Sequence, residues 1–247
     1  MQGFLLIDKG EGLTSFDVIS SVRRWTGERR VGHAGTLDPL ATGLLVVAVG
    51  KATKLLKNFV GLDKEYEVKA RFGAVSDTYD REGRIVVLDE GEFGKFGKIL
   101  RSDLENLIRE KFSGEIDQVP PKYSALKING KKAADMARKG IDFEMKSRKV
   151  KVYSFAITDF KWPRQRRARP EVSFKIHCGS GTYIRSLIHD IGQELGCGAY
   201  VTELRRGKVG NFSVNDRKVV MVGRDFDFAN KNIEQYMITV EDMESSK

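Results

Sequence analysis

The feature that most constrains the fold is an apolar run, LLVVAV, at residues 44–49 between Gly43 and Gly50. An uninterrupted apolar stretch of this length, bounded by glycines, is typical of a β-strand that is buried on both faces. The chain has 247 residues, which is enough for one large domain or two smaller ones with a sizeable core. The run therefore predicts a sheet with other elements packed on both sides.

The other elements mix strands and helices without a regular alternation. Alternating apolar residues predict half-buried strands at EYEVKARFG and EVSFKIHCG, and GRIVVLDEG at residues 83–91 indicates another strand. Helical spacing predicts helices after Thr14, over residues 102–112 and after residue 183, the first with a Thr14–Asp17 capping box. We expect an α/β fold of the α+β type, with a mixed sheet flanked by helices rather than a doubly wound sheet.

Positive charge is concentrated in two stretches. The net charge is +9, and residues 122–151 hold ten Lys or Arg against three acidic residues. KWPRQRRAR at residues 161–169 adds five positive charges and no negative ones. Clustering of this kind favours a surface that binds a polyanion such as nucleic acid, and a well-solvated surface strip is the alternative. Residues 118–151 are richer in charge than their surroundings, which predicts an insertion that leaves the core.

Several classes of protein are disfavoured. The chain has two cysteines, Cys178 and Cys197, and three scattered histidines, so we expect no disulfide framework and no metal site. The N-terminus is too poor in apolar residues for a signal peptide, and no run approaches the roughly 18 residues that cross a bilayer. We therefore expect a cytoplasmic protein without membrane contact. GSGTYI at residues 179–184 lacks the third glycine of a dinucleotide-binding loop.

One stretch, GHAGTLDPLATG at residues 32–43, combines a glycine-rich approach with an Asp-Pro pair. The simple interpretation of Asp38-Pro39 is a turn, since proline fixes its own φ and aspartate bonds back to the backbone. The same arrangement would also hold a carboxylate on a rigid loop that another molecule can approach closely. The pair alone does not decide between a turn and a catalytic group.

The rest of the chain supplies further motifs in a fixed order. They are LLIDKGEGLTS, GHAGTLDPLATGLL, GKATK, DKEYEV, DTYDREGRI, PPKYSALKINGKKAADMARKG, GSGTYIRSLIHDIG and GCGAYVTELRRG. This ordered set resembles the TruB family of bacterial tRNA pseudouridine-55 synthases, from about residue 3 to residue 212.

The resemblance implies a pseudouridine synthase fold with a largely antiparallel sheet. It implies isomerisation of one uridine, position 55, in the T loop of transfer RNA. The reaction oxidises nothing and adds nothing, so no cofactor is expected, and we expect a monomer whose partner is the T stem-loop. Whether a carboxylate would add to the sugar or to the base stays open.

The resemblance also assigns residues. Asp38 corresponds to the family's nucleophile, and Tyr66 is expected to stack on the extracted uracil. Arg185 falls where the family contacts the target nucleotide; because its planar fork can hold a carboxylate, we expect it to keep Asp38 ionised, with a phosphate contact or a surface position as the alternative. Residues expected to contact the substrate are His33, Tyr66, Tyr183, Leu204, Lys9 and Lys54. Residues expected to contact phosphates are Lys54, Lys127, Lys131 and Lys132, which would give affinity with little sequence selection.

These motifs predict a catalytic domain over residues 1–220, with the basic insertion at about 118–151. Residues 221–247 are expected to form a short extension, because the chain ends about where a small RNA-binding barrel begins in many family members. Two other functions are weighed: a guide-RNA-dependent synthase subunit, and a non-catalytic protein that binds or folds RNA.

Overall fold

The computed structural model describes residues 1–88, 99–163, 169–224, 226 and 232–245. Three predicted features lie partly outside the described residues: the end of the strand at 83–91, the centre of the basic stretch at 161–169, and parts of the extension at 221–247. Among the helices that are described, none has the length and apolar character needed to cross a membrane.

The strands follow the chain in this order: β1 Gly3–Lys9, β2 Val31–His33, β3 Thr42–Val49, β4 Lys64–Phe72, β5 Ala74–Ser76, β6 Ile85–Val87, β7 Gly114–Gln118, β8 Lys127–Ile128, β9 Lys131–Lys132, β10 Arg148–Lys161, β11 Glu171–Cys178, β12 Ala199–Val209, β13 Phe212–Ser213 and β14 Val219–Val222. The α-helices are α1 Ser15–Thr26, α2 Lys57–Val60, α3 Arg101–Lys111, α4 Ala133–Arg138, α5 Ile184–Glu194 and α6 Val240–Ser245. Short 3₁₀ helices occupy Gly50–Leu55 and Ile233–Tyr236.

The fold divides into two compact units. The first unit contains Met1–Tyr66 and Leu204–Lys247, and the second unit contains Glu67–Glu203. Strands β4 and β12 contribute residues to both units. The predicted functional boundary near residue 220 stays a prediction.

In the first unit the strand order is β14-β1-β3-β12, with β2 paired to β3 and β13 paired to β12. Strand β3 is buried from Gly43 to Val49, which confirms the strand predicted from the apolar run. Its even-numbered residues join Phe4 and Phe59 in one apolar cluster. The C-terminal residues complete this core, because Met243 is fully buried in the same cluster.

Helix α1 begins with the predicted capping box. The Thr14 side chain accepts from the backbone N–H of Asp17, and the Asp17 carboxylate accepts from the backbone N–H of Thr14. Gly27 ends the helix with φ of 69°, a left-handed conformation that glycine adopts without strain. The cap fixes where the helix starts, and it thereby fixes the position of Ser15 in the first turn.

In the second unit the strand order is β12-β4-β11-β10-β7. Strands β7, β10 and β11 are antiparallel neighbours, and the buried residues of β11 are the four alternating apolar ones that the sequence predicts. Helix α5 buries Ile184, Leu187, Ile188 and Ile191, and α3 starts one residue earlier than predicted. The expected mixed, largely antiparallel sheet with flanking helices is thus confirmed.

Candidate active site

Asp38 lies at the first position of a tight turn. The backbone N–H of Ala41 donates to the carbonyl of Asp38 at 3.0 Å, and Pro39 occupies the second position, where its fixed φ is favourable. Asp38 is half-buried. The interpretation of Asp38-Pro39 as a turn is therefore right, and it is compatible with a functional carboxylate.

Side chains of the first unit hold the backbone on both sides of Asp38. The hydroxyl of Ser15 donates to the carbonyl of Leu37 at 3.1 Å and accepts from its N–H at 2.9 Å. The carbonyl of Pro39 accepts from the backbone N–H of Gly12 at 2.8 Å and from Lys9 Nζ at 3.3 Å. Asp38 is thus placed between two anchored peptide units.

Lys9 is fully buried at the end of β1. Its ammonium group also donates to the carbonyls of Leu13 at 2.7 Å and Gly10 at 3.0 Å. Because the ammonium group donates to these backbone carbonyls, the described contacts of Lys9 support the turn that carries Asp38. The predicted contact between Lys9 and the substrate stays a prediction.

His33 ends β2, where it pairs in antiparallel register with Val47. Its Nδ1 atom is buried and has no hydrogen-bond partner within the described residues. Burial, and next the positive charge of Arg206, lower the pKa of His33, although a hydrogen bond with the backbone of Gly35 acts in the opposite direction. The lowered pKa keeps the imidazole neutral at neutral pH. The predicted contact of His33 with the substrate stays a prediction.

In the second unit, Arg185 is buried in the first turn of α5. Nη1 donates to the carbonyl of Thr78 at 2.6 Å and to Asp80 Oδ2 at 3.1 Å, and Nη2 donates to the carbonyl of Tyr123 at 2.9 Å. Both side chains of the Arg185–Asp80 ion pair are 4% exposed. The guanidinium group is thus held in one orientation, while its predicted action on Asp38 stays a prediction.

Asp80 was not singled out by the sequence analysis. Its Oδ1 atom accepts from Thr78 Oγ1 at 2.7 Å and from the backbone N–H of Glu82 at 3.0 Å, so both carboxylate oxygens are bonded. It belongs to the motif DTYDREGRI, yet no local pattern marks it as the partner of a residue more than 100 positions away. The available signal was indirect: a buried arginine requires an acceptor.

Tyr183 occupies the N-cap position of α5 and is fixed through its backbone. The buried side chain of Gln118 accepts from the N–H of Tyr183 at 2.8 Å and donates to its carbonyl at 3.0 Å. The guanidinium carbon of Arg148 lies 5.7 Å from the centre of the Tyr183 ring. The amide of Gln118, which the sequence analysis also missed, fixes the backbone from which the Tyr183 ring projects.

Three further predicted residues are placed by their elements. Tyr66 is half-buried on β4, and Leu204 is buried on β12. Lys54 is exposed in the 3₁₀ helix that follows β3. Their predicted contacts with substrate stay predictions.

Three of the four predicted phosphate-binding lysines, Lys127, Lys131 and Lys132, share one element, which we call the lysine hairpin: β8, β9 and their turn, residues 127–132. Lys127 pairs with Lys132, and the turn residues Asn129 and Gly130 have φ of 50° and 81°. Two positive φ values are what a type I′ turn requires. Lys127, Lys131 and Lys132 are all exposed, so the hairpin presents a compact positive surface.

The described residues contain no group of three or more His, Cys, Asp or Glu side chains that could hold a metal ion.

Two family models match the chain. The N-terminal domain of TruB family pseudouridylate synthases matches residues 23–184, and the C-terminal domain of tRNA pseudouridylate synthase B matches residues 185–245. Among solved structures, a chain in a Cbf5–Nop10–Gar1 complex has a TM-score of 0.65 at 29% identity, and one in an H/ACA RNP bound to a substrate RNA has 0.61 at 26%. Both alignments cover 89% of this chain but about half of the solved chains, 52% and 50%.

Curated relatives named tRNA pseudouridine synthase B are similar over most of the chain. The relative from Clostridium kluyveri is 46% identical over 216 residues, which is 87% of this chain and 70% of the relative. Those from Clostridium tetani and Aquifex aeolicus are 39% and 41% identical over 241 residues, which is 98% of this chain and 77% and 78% of theirs. This chain therefore belongs to the TruB family of pseudouridylate synthases and is an enzyme of that class.

Proposed function

We propose that this chain converts the uridine at position 55, in the T loop of transfer RNA, to pseudouridine, with Asp38 as the nucleophile. The substrate is argued from the curated relatives, which are named for transfer RNA. We expect the enzyme to act as a monomer in the cytoplasm, where transfer RNA is available.

The observation that carries the proposal is the anchoring of the Asp38 turn. Ser15 binds the residue before Asp38, and Gly12 with Lys9 binds the residue after it. A nucleophile must be held close to its attack geometry, because even small misplacements slow a reaction strongly. A turn that served only to reverse the chain would not need two buried polar anchors.

The reaction exchanges one bond for another within the same nucleotide. The bond between C1′ of the sugar and N1 of uracil breaks, the base rotates, and C1′ joins C5. The proton on C5 leaves to solvent, and N1 is protonated, so the product is an isomer of the substrate. In this scheme the Asp38 carboxylate forms a covalent bond and later leaves, which an ionised carboxylate can do at neutral pH.

The other predicted residues divide the remaining work. Arg185 would stabilise negative charge at the reacting carboxylate, as a fixed guanidinium can. Tyr66 would stack on the uracil, and Tyr183 and Leu204 would wall its pocket. His33, kept neutral, would occupy the space left when the nucleotide flips out, a step that costs a few kcal/mol.

The exposed lysines would bind the RNA backbone. Lys54 and the three lysines of the lysine hairpin are free of the core and can reach phosphates. Such contacts would supply affinity and position the RNA, while carrying no sequence information directly. Lys9 would support the Asp38 turn through its hydrogen bond to the carbonyl of Pro39.

One observation favours the alternative of a guide-dependent subunit: the solved structures similar to this chain include one in an H/ACA RNP with a substrate RNA. The curated relatives are more similar in sequence, so we favour action on transfer RNA by the free chain.

Incubation of the purified chain with unmodified transfer RNA, followed by mapping of pseudouridine, separates these functions. We expect one modified site, at position 55, without any added RNA. Activity that requires a second RNA would support the guide-dependent alternative. Binding without modification would leave the non-catalytic alternative.

A further inference from the structure

Arg206 on β12 is a buried cation that the proposed mechanism does not use. Its residue is 1% exposed, and it pairs in parallel register with Gly43 on β3. Gly43 has φ of 104°, and a Cβ atom there would lie 2.2 Å from the carbonyl oxygen of Arg206. Glycine at position 43 therefore lets the two strands approach closely enough for the arginine to reach the neighbouring backbone.

The guanidinium group bonds both ends of the segment that carries Asp38. Nε donates to the carbonyl of Leu44 at 2.7 Å, Nη2 to that of Gly35 at 3.2 Å, and Nη1 to that of Thr36 at 3.4 Å. Gly35 and Thr36 precede Asp38, whereas Leu44 follows it at the start of the buried strand. One planar guanidinium group thus links the backbone before Asp38 to the backbone after it.

This arrangement is unusual for a buried charge. Within the part of the chain that the structure describes, no carboxylate pairs with Arg206, and its described partners are the three carbonyls. Buried charges are normally paired with opposite charges, because removal from water is costly. A position that keeps an arginine on carbonyls alone suggests that the geometry of the fork is what the fold uses.

The charge of Arg206 also reaches the segment electrostatically. It is the second cause, after burial, that lowers the pKa of His33. His33 lies two residues before Gly35, so the bonded backbone and the affected ring belong to the same stretch. The effect on His33 is consistent with the hydrogen bonds that place Arg206 against this segment.

We propose that Arg206 is a positioning residue, which fixes the Asp38 carboxylate by fixing the backbone on both sides of it, and which therefore governs turnover rather than RNA affinity. The proposal rests on the proposed role of Asp38 as nucleophile. It differs from the role of Ser15 and Lys9, which bind the residues directly adjacent to Asp38, because Arg206 sets the path of the segment as a whole.

Arg206→Lys tests this proposal, because it keeps the charge but cannot bond three carbonyls in three directions. We expect single-turnover pseudouridine formation on unmodified transfer RNA to fall about 100-fold, as expected for a misplaced reacting group. The dissociation constant for the same RNA should change less than about threefold. The rate is expressed per folded molecule, with the folded fraction measured at the assay temperature, so that lost stability alone cannot imitate the effect.

Phe59→Leu is the matched control, since Phe59 is fully buried in the core of the same unit against Phe4. It should lower the melting temperature while leaving the rate per folded molecule unchanged. Arg206→Ala with added guanidinium ion gives a second measurement: millimolar guanidinium should restore part of the rate, and equal sodium chloride should not.

Arg206→Lys with a normal rate per folded molecule, or a rate loss matched by Phe59→Leu at equal stability, would overturn the proposal. So would a loss confined to RNA affinity. If the wild-type chain itself forms no pseudouridine, the proposed function fails instead, and the two failures are therefore distinguishable.

Discussion

The turn that carries Asp38 and the lysine hairpin are both tight turns whose side chains are proposed to act on RNA, but the fold holds them in opposite ways. Around Asp38, buried side chains bond the backbone, and the charged groups of Lys9 and Arg206 donate to backbone carbonyls inside the protein. In the lysine hairpin, the backbone holds itself through β8–β9 pairing, and the charges face solvent. The difference teaches that a reacting group needs a fixed position, whereas binding to a polyanion needs exposed charge.

The largest expected effect comes from Asp38→Asn, which tests the role of the Asp38 turn in this comparison. The amide keeps the shape of the side chain but is no nucleophile, so turnover should fall by about 10⁴-fold or more. Affinity for transfer RNA should stay within a few-fold. Asp142→Asn, at a side chain that is 98% exposed, is the control and should change neither quantity. Appreciable pseudouridine formation by pure Asp38→Asn would remove the nucleophile assignment.

The next effect concerns the buried Arg185–Asp80 pair. Arg185→Met leaves the Asp80 carboxylate buried without its cation, which should lower the free energy of unfolding by about 3–5 kcal/mol. Urea denaturation measures this change. Lys149→Met breaks the exposed pair with Glu115 in the same unit and should leave the urea midpoint nearly unchanged. Equal effects from the two variants would break the distinction between buried and exposed charge.

A smaller effect is expected at the lysine hairpin. Replacing Lys131 and Lys132 by Ala should flatten the dependence of log affinity on log salt by roughly one to two units, because fewer counterions are released. Cognate and non-cognate RNA should be weakened alike, and the rate at saturating RNA should hardly change. Lys111→Ala, at a lysine paired with Glu194, is the control and should keep the slope.

A collapse of the saturating rate in the Lys131/Lys132 variant, with an unchanged salt slope, would contradict the comparison. That outcome would mean that the hairpin shapes the active site and does not simply grip RNA.

The smallest effect comes from a buried charge without compensation. Burial, and next the negative charge of Glu194, raise the pKa of Asp190 to about 6. The folded protein thus holds this proton more tightly than the unfolded chain, so stability is lost as the pH rises toward and through 6. Asp190→Asn should stabilise the protein by about 1 kcal/mol at pH 8, a value reduced for partial exposure, and by almost nothing at pH 4.

Thermal melts of wild type and Asp190→Asn across this pH range measure the difference. A stabilisation that is equal at pH 4 and pH 8 would show that the carboxylate is not the cause. Glu194→Gln is a useful second variant, because Glu194 contributes to the raised pKa of Asp190. It also breaks the exposed ion pair with Lys111, so the measured quantity is the difference between its effects at pH 8 and pH 4, which should be a fraction of that of Asp190→Asn.

The sequence predicted what depends on neighbours along the chain. The apolar run of β3, the capping box at Thr14 and the alternation in β11 are local patterns, and each is found in the structure. Motif order indicated the family before any geometry was known. The position of Asp38 in a turn also followed from its proline.

The supporting residues could not be predicted in the same way. Arg206 bonds Gly35 across a separation of 171 positions, and Gln118 bonds Tyr183 across 65. Lys9 carries a charge, and a charged residue is expected at the surface unless its partners are known. Such roles arise when distant strands are brought together, and no periodicity in the sequence records that event.

The first unit is built from two separate segments of the chain, and this affects the order in which the two units can fold during synthesis. Strand β1 lies between β3 and β14, and β3 needs the last part of β12, yet both partners follow residue 203. All of Glu67–Glu203 is therefore made before the ribosome delivers these strands. Until then β1 has an open edge and the start of β3 lacks its β12 partner, and such unpaired edges favour mispairing. The unit that carries Asp38 is the last to be completed, so a nascent chain can form the lysine hairpin before the strands that hold the Asp38 turn are complete.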